Sequence, residues 1–434
     1  MKIAFISLGC SKNQSDLEYL IGDMVAEKFS IVNTIEKADA IVINTCGFLQ
    51  SAVKEAIDNI FDVVSKKKKG AKVIVSGCMV ERYRDEIVRE IPEVDFFTGV
   101  GELHNIIDYL KGEDIKKKVK RYYGKKRLLV NPPYYAYLKI AEGCNNRCSY
   151  CTIPSIRGGL VSRDMDDIIE EARGLLSSGV KELILISQDT TKYGLDKSGS
   201  GLMDLLEKIT ELDGDFKVRL LYLNPDGVDE KLIDFVANND KILKYFEIPV
   251  QHINDRILKL MNRRSDSKKI KDVFGYIREK VSDAFIRTTF IVGFPSETEE
   301  EFEEIATFIE QYKPDYSGFF PYSKEEGTKA FLLNGEVPKR VVRQRISKLQ
   351  KLQRKITIDR LKMMKKQDIK IFVEKPSEDI PFIFEGRAEF QAPEIDGKTY
   401  IIDGEIDNGY GPYIGKIKRV IYPDIYCAIK RSEG

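Results

Sequence analysis

Short apolar runs alternate with helix-length amphipathic stretches over the first quarter of the chain. The apolar runs at 2–7, 40–44 and 72–76 predict buried strands, and the stretches at 15–29, 51–66 and 81–91 predict the helices that follow them. Strands that alternate with helices in this way form a parallel sheet with right-handed crossovers. We therefore predict an open parallel α/β sheet domain over residues 1–115.

The alternation resumes after a charged segment at 116–133, which ends in Pro132-Pro133 and which we interpret as a linker. Six further strands are predicted, at 136–141, 182–187, 217–223, 245–249, 285–292 and 317–322. Six strand–helix units are too few for a closed barrel of eight. The pattern therefore predicts a partial, open (β/α)6 barrel. A long helix from Pro338 to about Gln367, with the proline in its first turn, completes a domain over 134–366.

Beyond residue 366 the pattern changes to short β runs separated by turn dipeptides such as Asp396-Gly397 and Asp403-Gly404. Residues 367–434 are therefore predicted to form a small all-β domain. The fold class is α/β, with an N-terminal open parallel sheet, a central partial barrel and a small C-terminal β domain. The chain length agrees, since 434 residues correspond to about three average domains.

Composition excludes several classes of protein. Hydrophobic residues make up 42% and charged residues 32%, which is enough apolar surface for packed cores and excludes a disordered polyelectrolyte. The net charge of +1 gives no overall attraction to nucleic acid or to a membrane. No apolar run approaches the roughly 18 residues of a membrane-spanning helix. Because no export signal is recognisable, we expect a cytoplasmic, reducing location, where clustered cysteines bind metal or do redox chemistry.

Cys144, Cys148 and Cys151 form a C-x3-C-x2-C triplet just after the first predicted strand of the barrel. Three thiolates on one loop can each bind a different iron of a [4Fe-4S] cubane, which leaves the fourth iron open to a substrate or cofactor. The alternative is a zinc site, which requires four tetrahedral ligands. Zinc is the weaker interpretation, because the next cysteine is Cys427 and the next histidine is the distant His252.

A second set of three cysteines is dispersed along the N-terminal domain. Cys10, Cys46 and Cys78 each follow the apolar run of one predicted strand, and each has a glycine neighbour. The carboxyl ends of parallel strands share one rim, where ligands bind in open α/β sheets. Three unrelated buried thiols are the alternative, but the same placement after three consecutive strands favours a second [4Fe-4S] cluster with an open iron. Cys427 is interpreted as an ordinary core thiol.

The spacing and position of Cys144, Cys148 and Cys151 resemble the signature of the radical S-adenosylmethionine superfamily, whose fold is a partial (β/α)6 barrel. The resemblance implies that the open iron holds S-adenosylmethionine, and that one electron from the cluster cleaves it to a 5′-deoxyadenosyl radical. It also implies that Tyr150 packs over the adenine. Such a radical attacks unactivated C–H bonds, which no side-chain base near neutral pH can deprotonate.

With two three-cysteine sets and a small β domain, the whole chain resembles the methylthiotransferase family, whose members carry a C-terminal TRAM domain. The resemblance implies that one S-adenosylmethionine supplies a methyl group, a second supplies the radical, and the N-terminal, auxiliary cluster carries the sulfur. The RimO-type branch modifies the β-carbon of an aspartate in ribosomal protein S-twelve. Stretches that resemble this branch lie at 153–158, 162–163, 188–194, 287–295 and 322–328.

The implied partners are ribosomal protein S-twelve, an electron donor such as a flavodoxin or ferredoxin, and a sulfur donor; no membrane partner is expected. Residues 374–407 hold ten acidic and three basic residues, a charge that suits a basic ribosomal protein and disfavours RNA, although a solvated acidic face explains it equally well. The helix at 339–366 has twelve Lys or Arg and one acidic residue, so contact with ribosomal RNA stays open.

Two other functions stay open. One is methylthiolation of adenosine in transfer RNA, although that branch usually has an Asn-centred stretch where this chain has Gln188-Asp189-Thr190. The other, from a different class, is a non-catalytic iron–sulfur binding protein. The separate barrel and its open iron argue against this second alternative.

Further candidate residues follow predicted strands at the rim of the barrel, where function is concentrated in such folds. We predict that four residues line the S-adenosylmethionine pocket: Tyr150, Gln188, Gln251 and Gly293, the last in a turn with Phe294-Pro295 beneath the nucleoside. Asp189 and His252 also lie at strand ends, although Asp and His also serve there as caps or core residues. No catalytic residue is predicted beyond the six cysteine ligands.

Overall fold

The computed structural model describes most of the chain: residues 1–115, 124, 126–130, 133–197, 199, 201–378, 380–381, 383–406 and 410–430. Most of the predicted linker, at 116–123, 125 and 131–132, lies outside the described residues. Among the helices in the described ranges, none is both long and apolar enough to cross a membrane.

The N-terminal domain is a five-stranded parallel sheet with helices on both faces. Its strands are β1 (Lys2–Ser7), β2 (Ser30–Ile31), β3 (Ala40–Thr45), β4 (Lys72–Gly77) and β5 (Phe96–Thr98), in the order β2-β1-β3-β4-β5. Its helices are α1 (Ser11–Ala26), α2 (Gln50–Lys66), α3 (Cys78–Glu90) and α4 (His104–Lys111). Because α2 and α3 pack on one face and α1 and α4 on the other, all six residues of β3 are buried, as expected for a central parallel strand.

The central domain is an open, six-stranded parallel sheet, as predicted. Its strands, paired in chain order, are β6 (Tyr135–Lys139), β9 (Glu182–Ile186), β10 (Lys217–Leu220), β11 (Ile242–Glu247), β12 (Phe285–Val292) and β13 (Tyr316–Pro321). A two-stranded ribbon of β7 (Ala141–Glu142) and β8 (Val161–Ser162) flanks the loop that carries Cys144. The fold class predicted for this domain is confirmed.

Helices separate the barrel strands. They are α5 (Ile153–Arg157), α6 (Met165–Ser177), α7 (Leu202–Thr210), α8 (Glu230–Asn238), α9 (Asp255–Leu260), α10 (Ser267–Lys280), α11 (Glu299–Tyr312) and α12 (Lys339–Met363). The predicted place of Pro338 in the first turn of the long helix is wrong by one position. Pro338 is the N-cap residue, with ψ of 134° outside the helical range, so the helix begins at Lys339.

The C-terminal domain is a closed five-stranded barrel. Its strands are β14 (Ile369–Pro376), β15 (Phe384–Ala388), β16 (Thr399–Asp403), β17 (Tyr413–Ile421) and β18 (Asp424–Ile429), in the order β14-β15-β16-β18-β17. Cys427 on β18 is fully buried, as expected of a core thiol. The small all-β domain predicted at this end of the chain is confirmed.

The C-terminal barrel packs against the amino-terminal ends of the central strands through a buried group of charges. Glu182, the first residue of β9, accepts hydrogen bonds from both Arg219 and Arg387, and all three side chains are buried. Asp396 accepts hydrogen bonds from Tyr245 and Arg287 on the central strands. Since the C-terminal domain occupies this end, the carboxyl ends of the central strands are left for the cysteine loop.

We expect Arg387→Met to lower the free energy of unfolding by about 2–3 kcal/mol, because it removes one of two cations from the buried carboxylate of Glu182. Arg219 would keep part of the compensation. Urea unfolding of the full chain would measure the change. Lys375→Met is the matched control, because the Lys375–Glu378 pair in the same domain is largely exposed and its loss should cost under about 1 kcal/mol. Equal effects of the two variants would contradict this account.

Candidate functional site

The three N-terminal cysteines lie on one rim because their strands are neighbours in register. Ser7 of β1 pairs with Asn44 of β3, and Asn44 pairs with Ser76 of β4. Cys10, Cys46 and Cys78 follow the ends of these strands within three residues, so their loops leave the sheet side by side. The structure thus brings the dispersed cysteines of the sequence to a common edge of the sheet.

The loops that carry these cysteines touch one another through glycines. A Cβ atom at Gly9 would lie 2.7 Å from the Asn13 amide nitrogen and 3.4 Å from the Cβ of Cys46. A Cβ atom at Gly47 would lie 2.6 Å from the carbonyl oxygen of Cys78. A larger residue at Gly47 would clash with the backbone of Cys78, and Gly9 has φ of +134°, so both positions favour glycine.

The three thiols differ in exposure. Cys10 is exposed, Cys46 is half-buried and Cys78 is buried. Burial raises the pKa of Cys78 to about 11 and also raises that of Cys46, and the negative charge of Cys10 adds to both increases.

The second cysteine set lies on the loop between β7 and α5. The backbone N–H of Cys151 donates to the carbonyl of Cys148 at 3.1 Å, and the N–H of Asn146 donates to the Cys144 sulfur at 3.5 Å. Burial raises the pKa of Cys151 to about 12 and raises that of Cys144. The guanidinium of Arg263 lies close enough to Cys148 for their charges to interact, so a cation accompanies this set.

Both sets fit an iron–sulfur cluster better than a single metal ion. Within the described part of the chain, no three His, Cys, Asp or Glu side chains converge closely enough to hold one ion. A zinc ion would need four such ligands around one point. In a cubane each thiolate binds a different iron, so three cysteines around a larger group are the arrangement required. The assignment of the two cysteine sets as the ligands of two clusters stays a prediction.

A buried polar network joins the two cysteine sets. Arg157, at the end of α5, donates to the Cys78 sulfur at 3.4 Å, to Asn13 Oδ1 at 2.5 Å and to Glu142 Oε1 at 2.8 Å. Asp16 on α1 accepts from Arg157 at 3.4 Å and also from Lys139 of the barrel. The sequence offered Arg157 only as part of a family-like stretch, and nothing local to it indicated these contacts with the N-terminal domain.

Two of the predicted pocket residues lie next to the second cysteine set. The Gln188 amide nitrogen donates to Glu142 Oε1 at 2.6 Å, and its buried Oε1 has no hydrogen-bond partner among the described residues. Tyr150 packs against an apolar group that includes Met261 and Phe294, and burial together with the charge of Cys148 raises its pKa. The place of Tyr150 over the adenine stays a prediction.

The other two predicted pocket residues have clear backbone roles. Gln251 has φ of +72°, and its N–H and C=O pair with Thr289 and Ile291 of β12 at 2.8 Å each. Gly293 has φ of +77°, and a Cβ there would lie 2.4 Å from Val342 of α12. Gly293 is thus needed for the packing of the long helix, whereas its place beneath a nucleoside stays a prediction.

Asp189 and His252 are engaged as caps. Asp189 accepts from the Thr191 N–H and from the Asn146 amide at 2.6 Å. His252 is fully buried, and its Nδ1 accepts from the Asn254 N–H at 3.0 Å. A cavity of about 210 Å³ beside Cys144 is lined by Asn146 and Asp189 but by none of the four predicted pocket residues.

Sequence analysis missed a lysine at the interface of the two domains. Lys12, in the first turn of α1, lies with its Nζ 3.1 Å from the ring centroid of Tyr222, just beyond β10. Burial lowers the pKa of Lys12 to about 8. Tyr222 has φ of +61°, and its N–H donates to Glu247 Oε2 at 2.5 Å. No periodicity or spacing in the sequence relates Lys12 to Tyr222.

Comparison with known proteins decides the family. The model of the radical SAM superfamily matches residues 138–309, and that of "Uncharacterized protein family UPF0004" matches residues 2–99. The chain is 44% identical to "Ribosomal protein uS12 methylthiotransferase RimO" of Aquifex aeolicus, over 92% of this chain and 91% of that one. Its identity to the protein of the same name from Alkaliphilus oremlandii is 41%, over 98% of both chains. The chain belongs to the RimO family of methylthiotransferases.

The predicted family is thus confirmed, and with it the expectation of [4Fe-4S] clusters and S-adenosylmethionine as cofactors. The solved structures that this RimO family member resembles show the fold alone. The radical S-adenosylmethionine methyltransferase TsrM from Kitasatospora setae matches with a TM-score of 0.56 at 13% identity, covering 74% of this chain and 72% of TsrM. The cobalamin-dependent enzyme OxsB matches with a TM-score of 0.51 at 12% identity, covering 81% of this chain and 56% of OxsB.

Proposed function

We propose that this enzyme attaches a methylthio group to the β-carbon of an aspartate in ribosomal protein uS12, the S-twelve protein named above. One S-adenosylmethionine would donate the methyl group and a second would supply the radical. The observation that carries the proposal is the 40–44% identity to proteins named uS12 methylthiotransferase, over more than nine-tenths of each chain.

Each cysteine set has a separate part in this proposal. Cys144, Cys148 and Cys151 would hold the radical-forming cluster, and Cys10, Cys46 and Cys78 the auxiliary one. When bound, the two clusters supply the electron for cleavage of S-adenosylmethionine and an open iron for sulfur. The proposed ligand sets are supported by the common edge of the sheet that carries Cys10, Cys46 and Cys78, and by the contact of Cys78 with Arg157 of the barrel.

The side chains around the cysteines hold the two sites in place and provide compensating charge. Arg157 and Arg263 each bring a guanidinium to one thiolate set, and a positive charge next to an anionic cluster stabilises it. Glu142 accepts hydrogen bonds from Arg157, Lys139 and Gln188, so its carboxylate fixes the start of the cysteine loop.

The proposed S-adenosylmethionine pocket is formed by Tyr150, Gln188, Gln251 and Gly293. Its support is strongest for Gln188, whose buried oxygen has no hydrogen-bond partner among the described residues, and for Tyr150, which lies on the cysteine loop next to Cys151. A flavodoxin or ferredoxin as reductant and a separate sulfur donor complete the proposal. Contact of α12 with ribosomal RNA is a further part of it, supported by Arg340, Arg343 and Lys351 along one open groove.

The test is to incubate the reconstituted enzyme, reductant and sulfide with uS12 and, separately, with transfer RNA. We expect the mass increment of a methylthio group on one aspartate of uS12 and none on the RNA. Modification of adenosine alone would assign the enzyme to the other branch. Failure to cleave S-adenosylmethionine with either acceptor would favour a non-catalytic iron–sulfur protein.

A further inference from the structure

We infer that Lys12 is a specificity-determining residue whose ammonium binds the side-chain carboxylate of the acceptor aspartate. The inference rests on the proposed function and names the group that recognises its substrate. It starts from an imbalance of charge: Lys12 is a buried cation, 7% exposed, and its Nζ has no carboxylate within 4.0 Å among the described residues.

Neighbouring buried cations differ from Lys12 in this respect. Lys139 and Arg157 contact the same interface, and each pairs with both Asp16 and Glu142. The contact recorded for Lys12 is instead the face of the Tyr222 ring. Burying an ammonium without an anionic partner is costly. Proteins tolerate such a destabilising buried charge at functional sites. We therefore expect the anionic partner of Lys12 to be a group of the substrate.

The carboxylates that act on Lys12 through space are held by other groups. Glu247 accepts the Tyr222 N–H at 2.5 Å, and Glu142 accepts from Arg157 at 2.8 Å and from Lys139 at 3.1 Å. If Glu247 or Glu142 moved to pair with Lys12, it would lose these hydrogen bonds. The carboxylate of a substrate could pair with Lys12 without breaking any of them.

Lys12 lies where the acceptor must come. It is two residues beyond Cys10, a proposed auxiliary ligand, and it contacts Tyr222, just beyond the carboxyl end of barrel strand β10. It also belongs to the first turn of α1, which has no acidic residue, so the helix dipole adds positive potential at the same place. A carboxylate bound there would place its β-carbon in the interface between the two cysteine sets.

A counter-ion for the auxiliary sulfur is the competing role for Lys12. Arg157 already donates to Cys78, but the negative charge that acts most strongly on Lys12 is that of Cys10, so the two roles have to be separated by experiment. The two roles predict different behaviour: a counter-ion acts whatever the acceptor is, whereas a carboxylate-binding residue acts only on an acceptor with a negative charge. The experiment below separates them by changing the acceptor as well as the enzyme.

The test measures binding of the reconstituted, full-length enzyme to uS12 and to uS12 whose acceptor aspartate is replaced by asparagine. For the unmodified enzyme we expect the aspartate form to bind about ten- to a hundredfold more tightly, the value of a charge-assisted hydrogen bond. Lys12→Met, which keeps an apolar contact with the Tyr222 ring, should bring the ratio of the two dissociation constants close to one. Lys12→Arg should restore most of it.

The surface variant Lys66→Met is the control and should keep the full ratio, because Lys66 pairs with Asp62 at an exposed site in the same domain. Iron content and melting temperature are measured for every variant, and Lys12→Met is expected to melt at a higher temperature than the unmodified enzyme. Three results for Lys12→Met would overturn the role of Lys12: an unchanged ratio of the two dissociation constants, equally weakened binding of both uS12 forms, or a lower melting temperature.

The Lys12 inference and the proposed function fail in different ways. If the unmodified enzyme modifies uS12 but Lys12→Met keeps the preference for aspartate, only the Lys12 inference is wrong. If the unmodified enzyme leaves uS12 unmodified, the proposed function is wrong and Lys12 loses its substrate with it.

Discussion

Replacing Cys148 by alanine is expected to abolish reductive cleavage of S-adenosylmethionine while leaving the auxiliary cluster in place. Cys148 is the central cysteine of its triplet, and its charge acts on both Tyr150 and Arg263. With two thiolates left, the radical-forming cluster should not be retained. Reconstituted protein should therefore hold about four irons instead of about eight, and 5′-deoxyadenosine should fall below detection. Methyl transfer from S-adenosylmethionine should be spared.

The Cys46→Ala variant is the counterpart, because Cys46 belongs to the other set. It should also hold about four irons, but it should still form 5′-deoxyadenosine and should fail to deliver sulfur to the acceptor. Cys427→Ala is the control cysteine variant, since Cys427 is buried in the C-terminal barrel away from both sets, and its iron content should stay at the full value. Loss of 5′-deoxyadenosine formation in Cys46→Ala would contradict the division of labour between the two sets.

The hydrophobic pattern of the sequence was sufficient to predict the bounds of several strands. Strands β1 and β12 have the predicted bounds, and β3 and β4 differ from prediction by one residue. Cys10, Cys46 and Cys78 could be placed on one rim because each follows a strand and parallel strands end on the same side. The short strands β2 and β5 were missed, because two or three residues leave little hydrophobic pattern.

Contacts between domains could not be predicted from the sequence. Lys12 and Tyr222 are separated by more than two hundred residues, and so are Arg387 and Glu182. Each contact exists only after two separately folded units have packed together. The same limit affects charge counts: Asp396 and Glu385 belong to the acidic stretch, yet both are paired internally, Asp396 with Arg287 and Glu385 with Lys398. Fewer free carboxylates remain for a basic partner than the sequence suggests.

Arg157→Met is expected to have the largest effect on stability, lowering the free energy of unfolding by about 3–5 kcal/mol. The substitution leaves Asp16 and Glu142 buried with Lys139 as their remaining cation among the described residues, and it removes the donor to the Cys78 sulfur. Because Arg157 belongs to the barrel and Asp16 to the N-terminal domain, the two domains should also separate more easily. Limited proteolysis of the iron-free full chain, together with urea unfolding, would measure both effects.

The control for this prediction is Arg173→Met, an exposed arginine on α6 of the same barrel, which should change the free energy of unfolding by less than about 0.5 kcal/mol. Arg157→Lys keeps the charge but cannot reach Cys78, Asn13, Asp16 and Glu142 together, so an intermediate loss is expected. In the reconstituted protein, Arg157→Met should also make the reduction potential of the auxiliary cluster more negative, because a positive charge and a hydrogen bond to its sulfur ligand are lost. A stability change as small as that of Arg173→Met would show that the buried network does not hold the two domains together.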